Sequence, residues 1–120
     1  MRIAITTQGD DLGAEVDLRF GRAPKFLLVD TETMAFKLIE NSQSLDLPQG
    51  AGIQSAQNLI QHNPEVVLTG FCGPKAFKVL EAAKVKVVVG VGGKIGDVIQ
   101  AYLDGKYQTA ERPNVEGHWV

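Results

Sequence analysis

The stretch that decides the fold reads Val66-Val67-Leu68-Thr69-Gly70-Phe71-Cys72-Gly73-Pro74-Lys75-Ala76-Phe77. Its apolar start is typical of a strand that is buried on both faces of a parallel sheet. Pro74 suits the first position of a helix. Apolar residues then recur at helical spacing, at Ala76, Phe77, Leu80 and Ala83. A buried strand that turns through glycine into a helix predicts an α/β fold.

Further elements flank this stretch on both sides. Upstream, the hydrophobic pattern predicts three strands and a helix, at Arg2 to Thr6, Lys25 to Asp30, Ala35 to Glu40 and Ala51 to His62. Downstream, it predicts a buried strand and a helix with its capping glycine, at Val85 to Val89, Ile95 to Leu103 and Gly105. The order β-β-β-α-β-α-β-α predicts an α/β, three-layer, ribonuclease H-like fold with a five-stranded mixed sheet. We expect one domain over residues 1–105 and a C-terminal tail over residues 106–120.

Composition narrows the class of protein. A chain of 120 residues with 44% hydrophobic residues can fill one core. The net charge of −2, with scattered Lys and Arg residues, lacks the broad basic face of a nucleic-acid binder, so no nucleic-acid partner is expected. No apolar run could span a bilayer and the first residues lack a signal-peptide pattern, so we expect a cytoplasmic protein without a membrane partner. The single cysteine excludes a disulfide within the chain.

The predicted topology starts all three helices at one edge of the sheet. We call it the upper edge; it lies at the carboxyl ends of the parallel strands, where ligands of open α/β sheets bind. Glycine-rich helix starts expose backbone N–H groups there and favour an anion, at Gly50 and Gly52, Gly70 and Gly73, and Gly92 and Gly93. Arg19 and Arg22 lie in a loop on the same edge and add positive charge. The alternative is that each glycine only permits a tight turn.

Cys72 is the most informative side chain in these turns. It directly precedes Gly73 and Pro74, where a helix start and nearby arginines are expected to lower the pKa of the thiol. The resulting thiolate would bind soft metals such as iron–sulfur species or Cu(I). The alternative is a buried, inert cysteine that fills the turn. No Cys-x-x-Cys motif or paired histidines accompany it, so a zinc site is not predicted.

The two histidines are expected in different places. His62 ends a helix at the opposite, lower edge, where it contacts the helix dipole and is not a ligand. His118 lies in the tail, which either folds the imidazole over the upper edge as a metal ligand or is an ordinary solvated terminus. His118 is therefore the one histidine kept as a candidate ligand.

An enzymatic role is not indicated. A nuclease with a ribonuclease H-like fold needs carboxylates around metal ions, whereas Thr6, Thr7 and Thr69 stand at the strand ends. Of the histidines that could serve Cys72 as a base, one is predicted at the opposite edge and the other in the tail. The glycine turns match neither a P-loop nor a dinucleotide fingerprint. We therefore expect a protein that is not an enzyme.

Five segments taken together carry a family resemblance. They are Ile3-Ala4-Ile5, Arg19-Phe20-Gly21-Arg22-Ala23-Pro24, Gly50-Ala51-Gly52-Ile53-Gln54, Gly70-Phe71-Cys72-Gly73-Pro74-Lys75-Ala76-Phe77 and Pro113-Asn114-Val115-Glu116-Gly117-His118-Trp119. They resemble the nitrogenase iron–molybdenum cofactor biosynthesis family, which includes NifX-like and NafY-like carriers, the C-terminal domain of NifB-like proteins, and small stand-alone members similar to the orange-protein relatives. The resemblance implies a ribonuclease H-like fold without nuclease activity. It also implies binding of iron–molybdenum cofactor precursors or, as in the orange-protein relatives, a molybdenum–copper sulfide cluster.

One position departs from the family pattern. Nitrogenase-associated members often carry a histidine just before the Phe-Gly-Arg triplet, whereas this chain has Arg19. Arg19 would act on a negative cluster as a charge and not as a ligand.

The leading hypothesis is binding, carrying or assembly of an anionic metal–sulfur cluster that contains iron, molybdenum or copper, with cluster donor or acceptor proteins as partners. The candidate metal ligands are Cys72 and His118. The candidate cofactor-binding residues are Arg19, Phe20, Gly21, Arg22, Gly50, Gly52, Gly70, Gly73, Gly92 and Gly93. The alternative is a metal-free protein-interaction module, including a homodimer, that uses the same glycine-rich loops. A weaker third hypothesis is a binder or enzyme for a phosphorylated metabolite.

Overall fold

The computed structural model describes residues 1–41 and 51–114 of the chain. Its strands are β1 Arg2–Thr7, β2 Lys25–Asp30, β3 Phe36–Glu40, β4 Val66–Leu68 and β5 Lys86–Val88. Its helices are α1 Ala51–Ile60, α2 Pro74–Ala82 and α3 Ile95–Leu103, with a short 3-10 helix at Phe20–Arg22. None of the helices in these ranges is long and apolar enough to cross a membrane.

The strands form one five-stranded mixed sheet in the order β3-β2-β1-β4-β5. β2 runs antiparallel to β1 and β3, whereas β1, β4 and β5 are parallel to one another. This confirms the predicted α/β fold with its five-stranded mixed sheet. The apolar runs specify the strands because a strand buried on both faces needs apolar side chains in both directions.

The helices lie on both faces of the sheet and bury two core clusters. The first core joins alternate strand residues, such as Ala4 and Phe26, to α1 and α2. The second core joins the intervening residues, such as Ile3 and Ile5, to α3. Ala4 and Ile5 are both fully buried. Successive residues of a strand point to opposite faces, so β1 supplies both cores and the domain has three layers.

Several predicted boundaries differ from the structure by one or two residues, and the end of α1 has a local reason. α1 ends at Ile60, two residues before the predicted end at His62. The N–H of His62 donates to Leu59 O and that of Asn63 to Ile60 O, which is the tighter hydrogen-bonding pattern of a closing turn. The chain is also structured after α3: residues 106–114, predicted as part of a tail, lie against the domain through hydrogen bonds from Ala110 and Asn114.

Candidate functional site

Three of the loops predicted to meet at the upper edge contact one another. β1, β4 and β5 are parallel, so their carboxyl ends lie side by side. The Phe20 N–H donates to Phe71 O at 3.1 Å, and the Phe71 N–H donates to Leu18 O at 2.7 Å. The Gly90 N–H donates to Gly70 O at 2.9 Å. These bonds join the loop after β1, the turn after β4 and the turn after β5 into one surface.

Gly70 has a packing reason for being glycine. A Cβ atom at this position would lie 2.7 Å from Leu18 O and 2.9 Å from Leu18 Cα, and such contacts with backbone cannot relax by rotating a side chain. Gly93 has a backbone reason, because its φ of 97° is one that other residues rarely adopt. Both glycines thus have a structural reason that needs no ligand. Contacts of Gly70, Gly73, Gly92 and Gly93 with a ligand stay predictions.

The start of α3 departs from the expectation that all three helix starts offer unpaired N–H groups. The N–H groups of Ile95 and Gly96 donate to Ala14 O at 3.0 Å and Leu12 O at 2.8 Å. The loop after β1 folds over this helix start and takes two of its orphan donors. Two of the donors expected to face an anion at this edge are therefore already used within the protein.

A buried polar network holds the loop that carries the arginines. Asn41 Nδ2 donates to Ala23 O at 2.8 Å and to Ser55 Oγ at 2.9 Å. Ser55 Oγ donates to Gly21 O at 3.3 Å, and Asn58 Nδ2 donates to Asn41 Oδ1 at 3.0 Å. These side chains fasten the 3-10 helix to α1. The hydrophobic pattern did not predict this network, although a polar residue, Ser55, stands among the apolar residues of α1.

The arginines flank the 3-10 helix at the surface. Arg19 is exposed and Arg22 is half-buried. The backbone N–H of Arg19 donates to Asp17 Oδ1 at 3.0 Å, which fixes the direction of the loop. At the start of β2, Lys25 forms an ion pair with Asp10, whose hydrogen bond raises the pKa of Lys25. The guanidinium groups of Arg19 and Arg22 therefore contribute positive charge to a loop whose backbone is held by hydrogen bonds.

Phe20 and Gly21 lie between the arginines but face inward. Phe20 is fully buried, and its ring centroid lies 5.6 Å from that of Phe26. Gly21 is also buried. Phe20 thus anchors the loop in the first core, and its predicted contact with a cofactor stays a prediction.

Cys72 is fully buried in the first core, with its Sγ atom 3.8 Å from Gly73 O. Burial raises the pKa of the thiol to about 12. The predicted lowering of this pKa is therefore wrong for this conformation, because loss of hydration outweighs the favourable field of the helix start and arginines. Whether Cys72 ligates a metal stays a prediction.

Asn114 reaches the turn after β4 from the far end of the chain. Its Oδ1 accepts the Cys72 N–H at 2.8 Å, and its Nδ2 donates to Gly70 O at 3.0 Å. The Asn114 N–H donates to Cys72 O at 3.2 Å. Asn114 is therefore hydrogen-bonded to the turn that carries Cys72 at two residues, Gly70 and Cys72.

Of the remaining residues predicted for the site, one is described by the structure and two are not. Gly52 is buried in the first turn of α1, beside the loop that the polar network fastens. Gly50 and His118 lie outside the described residues. Within residues 1–41 and 51–114, no three His, Cys, Asp or Glu side chains group together as metal ligands.

Several solved structures have the same fold as this chain. The apo form of the orange protein from Desulfovibrio gigas is 44% identical, with a TM-score of 0.91 over 95% of this chain and 96% of that protein. A candidate NifB protein from Thermotoga is 31% identical, with a TM-score of 0.78 over 97% of this chain and 98% of its own. A candidate dinitrogenase from Methanocaldococcus jannaschii shares the fold at 16% identity, with a TM-score of 0.71 over 94% of this chain and 97% of its own. Curated proteins give no significant match.

The sequence pattern of a known family spans most of the chain. The family described as dinitrogenase iron-molybdenum cofactor matches residues 1–105, which contain the whole sheet and all three helices. Solved structures at 30% identity or more cover nearly the whole chain as well. The chain belongs to the dinitrogenase iron-molybdenum cofactor family.

Proposed function

We propose that this protein binds and carries an anionic metal–sulfur cluster as cargo at the upper edge of its sheet. The observation that carries the proposal is the contact between the Arg19 loop and the turn that holds Cys72, in which Arg19 lies beside Phe71 as in a parallel strand pair. The loop that carries Arg19 and Arg22 thus lies next to the turn in which Cys72 is buried, directly before α2. Family membership and the likeness to the apo orange protein support a role in cofactor binding.

The side chains suit a cluster that brings its own sulfide ligands. Guanidinium groups donate hydrogen bonds in a planar fork, so Arg19 and Arg22 can bind sulfide or oxo groups of a negative cluster without coordinating its metal. Cys72 would ligate only as a thiolate, so binding of metal must displace its proton. Because the thiol is buried with a raised pKa, ligation also requires the turn to open. Iron, molybdenum and copper are all compatible with this chemistry.

A carrier fits the upper edge better than a metal-dependent nuclease does. Thr6, near the end of β1, and Thr69, directly after β4, are both fully buried. Their hydroxyl oxygens share a hydrogen bond of 2.9 Å. A metal-dependent nuclease would need carboxylates in such places. The strand order is the reason for retaining a ribonuclease H-like assignment as part of the proposal, without the nuclease activity. Cytoplasmic donor and acceptor proteins for the cluster belong to the same proposal.

The test is a binding titration with tetrathiomolybdate and Cu(I), followed by absorbance and by metal and acid-labile sulfide analysis after gel filtration under anaerobic conditions. Wild-type protein is expected to retain metal and sulfide. The double variant R19Q/R22Q is expected to bind about tenfold or more weakly, because two charge-assisted hydrogen bonds are lost. The matched control is K86Q, which removes the charge of an exposed lysine at the lower edge.

Three outcomes separate the hypotheses. Weak binding by R19Q/R22Q with normal binding by K86Q supports the cargo site, and loss of retained metal in Cys72→Ser adds the thiol as a ligand. Equal binding by R19Q/R22Q and K86Q contradicts the site. Protein that stays empty with this cargo and with iron–sulfur cargo contradicts the function and leaves the metal-free interaction module.

A further inference from the structure

Residues 106–114, which we call the strap, follow α3 and run around the β5 edge of the sheet. Tyr107 packs against the second core, on the α3 face, whereas Ala110 packs against the first core, on the α2 face. The N–H of Ala110 also donates to Val87 O at 2.7 Å, and this hydrogen bond joins the strap to the edge strand β5. The strap thus leaves α3 on one face of the sheet and arrives beside the start of α2 on the other.

The strap ends in a side chain shaped for the turn after β4. The carboxamide of Asn114 accepts the Cys72 N–H through Oδ1 and donates to Gly70 O through Nδ2, while its backbone N–H donates to Cys72 O. The carboxamide group carries a hydrogen-bond donor and an acceptor on the same carbon atom, so it can bond to both groups at once. Aspartate would keep the acceptor but place a negative oxygen against Gly70 O.

The Asn114 side-chain oxygen accepts a hydrogen bond from a backbone N–H that the proposed cargo would also use. The Cys72 N–H is a backbone donor next to the start of α2, where an anion is stabilised by the N–H groups and the helix dipole. In this conformation the donor is bound to Asn114 Oδ1. A sulfide or oxo group that approached the same N–H would have to displace the carboxamide.

The hydrogen bonds between Asn114 and the turn after β4 can break without unfolding of the domain. Asn114 itself is exposed, although it makes three hydrogen bonds. Such bonds exchange readily for bonds to water, and each contributes little net stability. Cys72, one hydrogen bond away, is fully buried in the first core. The exposed strap can therefore open together with the Cys72 turn, which bares the thiol, while the rest of the core stays packed.

We propose that the strap is an intramolecular latch, in which the Asn114 carboxamide stands in for part of the anionic cargo and keeps the Cys72 turn closed until cargo displaces it. The cargo half of this statement rests on the proposed function. The latch half does not, because opening of the turn can be measured through the reactivity of the chain's single thiol.

The test measures the rate at which Ellman's reagent modifies Cys72 in the native full-length protein at one pH, in wild type, N114A and N114D. The matched control is Q108A, which truncates another exposed amide side chain on the strap. Loss of about two hydrogen bonds is expected to raise the modification rate of N114A about tenfold, with N114D at least as fast and Q108A unchanged. Urea unfolding of each variant gives the fraction that is globally unfolded.

The latch is supported where N114A reacts faster than its unfolded fraction allows. Equal rates in N114A and Q108A overturn it, as does an increase that matches global unfolding. Addition of tetrathiomolybdate and Cu(I) then separates the two proposals. If no variant binds this cargo or iron–sulfur cargo but N114A still reacts faster, the carrier function fails and the latch stands. If cargo binds equally fast to wild type and N114A and thiol rates are equal, the latch fails and the carrier function stands.

Discussion

At Cys72, burial and helix electrostatics act on the thiol in opposite directions. The residue precedes a helix start, which favours a thiolate, but it is fully buried in the first core and its pKa is raised to about 12. Desolvation wins because the whole thiol loses its contact with water, whereas the helix start contributes only partial charges. A closed turn therefore protects the thiol from oxidation and from adventitious metals, which react with the thiolate.

This raised pKa predicts a pH dependence of stability. In the unfolded chain the thiol titrates near its ordinary pKa of about 8.5, so between that pH and 12 the unfolded state has lost a proton that the folded state keeps. Stability of the metal-free wild type should fall as pH rises through this window, by up to about 1.4 kcal/mol per pH unit from this group. Cys72→Ala lacks the group, so urea unfolding from pH 7 to 10.5 should show the difference between the two proteins shrinking. A difference that stays constant with pH would refute the raised pKa.

At the scale of elements, the sequence predicts the strands and helices that have a clear local pattern, but not the contacts between residues that are distant in sequence. β2 was predicted with the bounds it has, Lys25–Asp30, because its apolar run is continuous and its turns are polar. Gly105 was predicted as a helix cap and adopts a φ of 81°. The bond from Asn114 to Gly70 spans 44 residues, and no local pattern encodes such a partner. The covered start of α3 was missed for the same reason.

The polar network between β3 and α1 is the element-scale feature with the clearest energetic consequence. Asn41→Ala would leave the buried Ala23 carbonyl without its Nδ2 donor and remove the partner of Ser55 and Asn58. Stranded buried polar groups cost about 1–3 kcal/mol each, so we expect a loss of about 2–4 kcal/mol in urea unfolding. The control is Gln57→Ala on the exposed face of α1, which should change stability by less than about 0.5 kcal/mol. A loss from Asn41→Ala no larger than that of the control would show that the network contributes nothing.

At the scale of the whole molecule, the sheet separates a permanent core from a removable cover. β1 is the central strand, is paired on both sides, and supplies both cores. The β5 edge is wrapped by the strap, whose Ala110 N–H bonds to Val87 O. The opposite edge strand, β3, leaves Phe36 and Leu38 exposed. Opening the strap therefore removes contacts at one edge of the sheet, and the pairing of β1 is untouched.

This arrangement predicts a graded pattern of amide hydrogen exchange. The Ile5 N–H should exchange only through global unfolding, since it lies in the central strand, which is paired on both sides and fully buried at this residue. The N–H groups of Ala110, Asn114 and Cys72 should exchange through local opening, at rates about tenfold or more above the global limit, because each is bonded to or within the strap. Exchange measured by NMR in wild type and N114A should show Cys72 accelerated by the substitution and Ile5 changed only as far as global stability changes. If Cys72, Ala110 and Ile5 exchange at one common rate, the strap and the sheet open together and the domain has no separately removable cover.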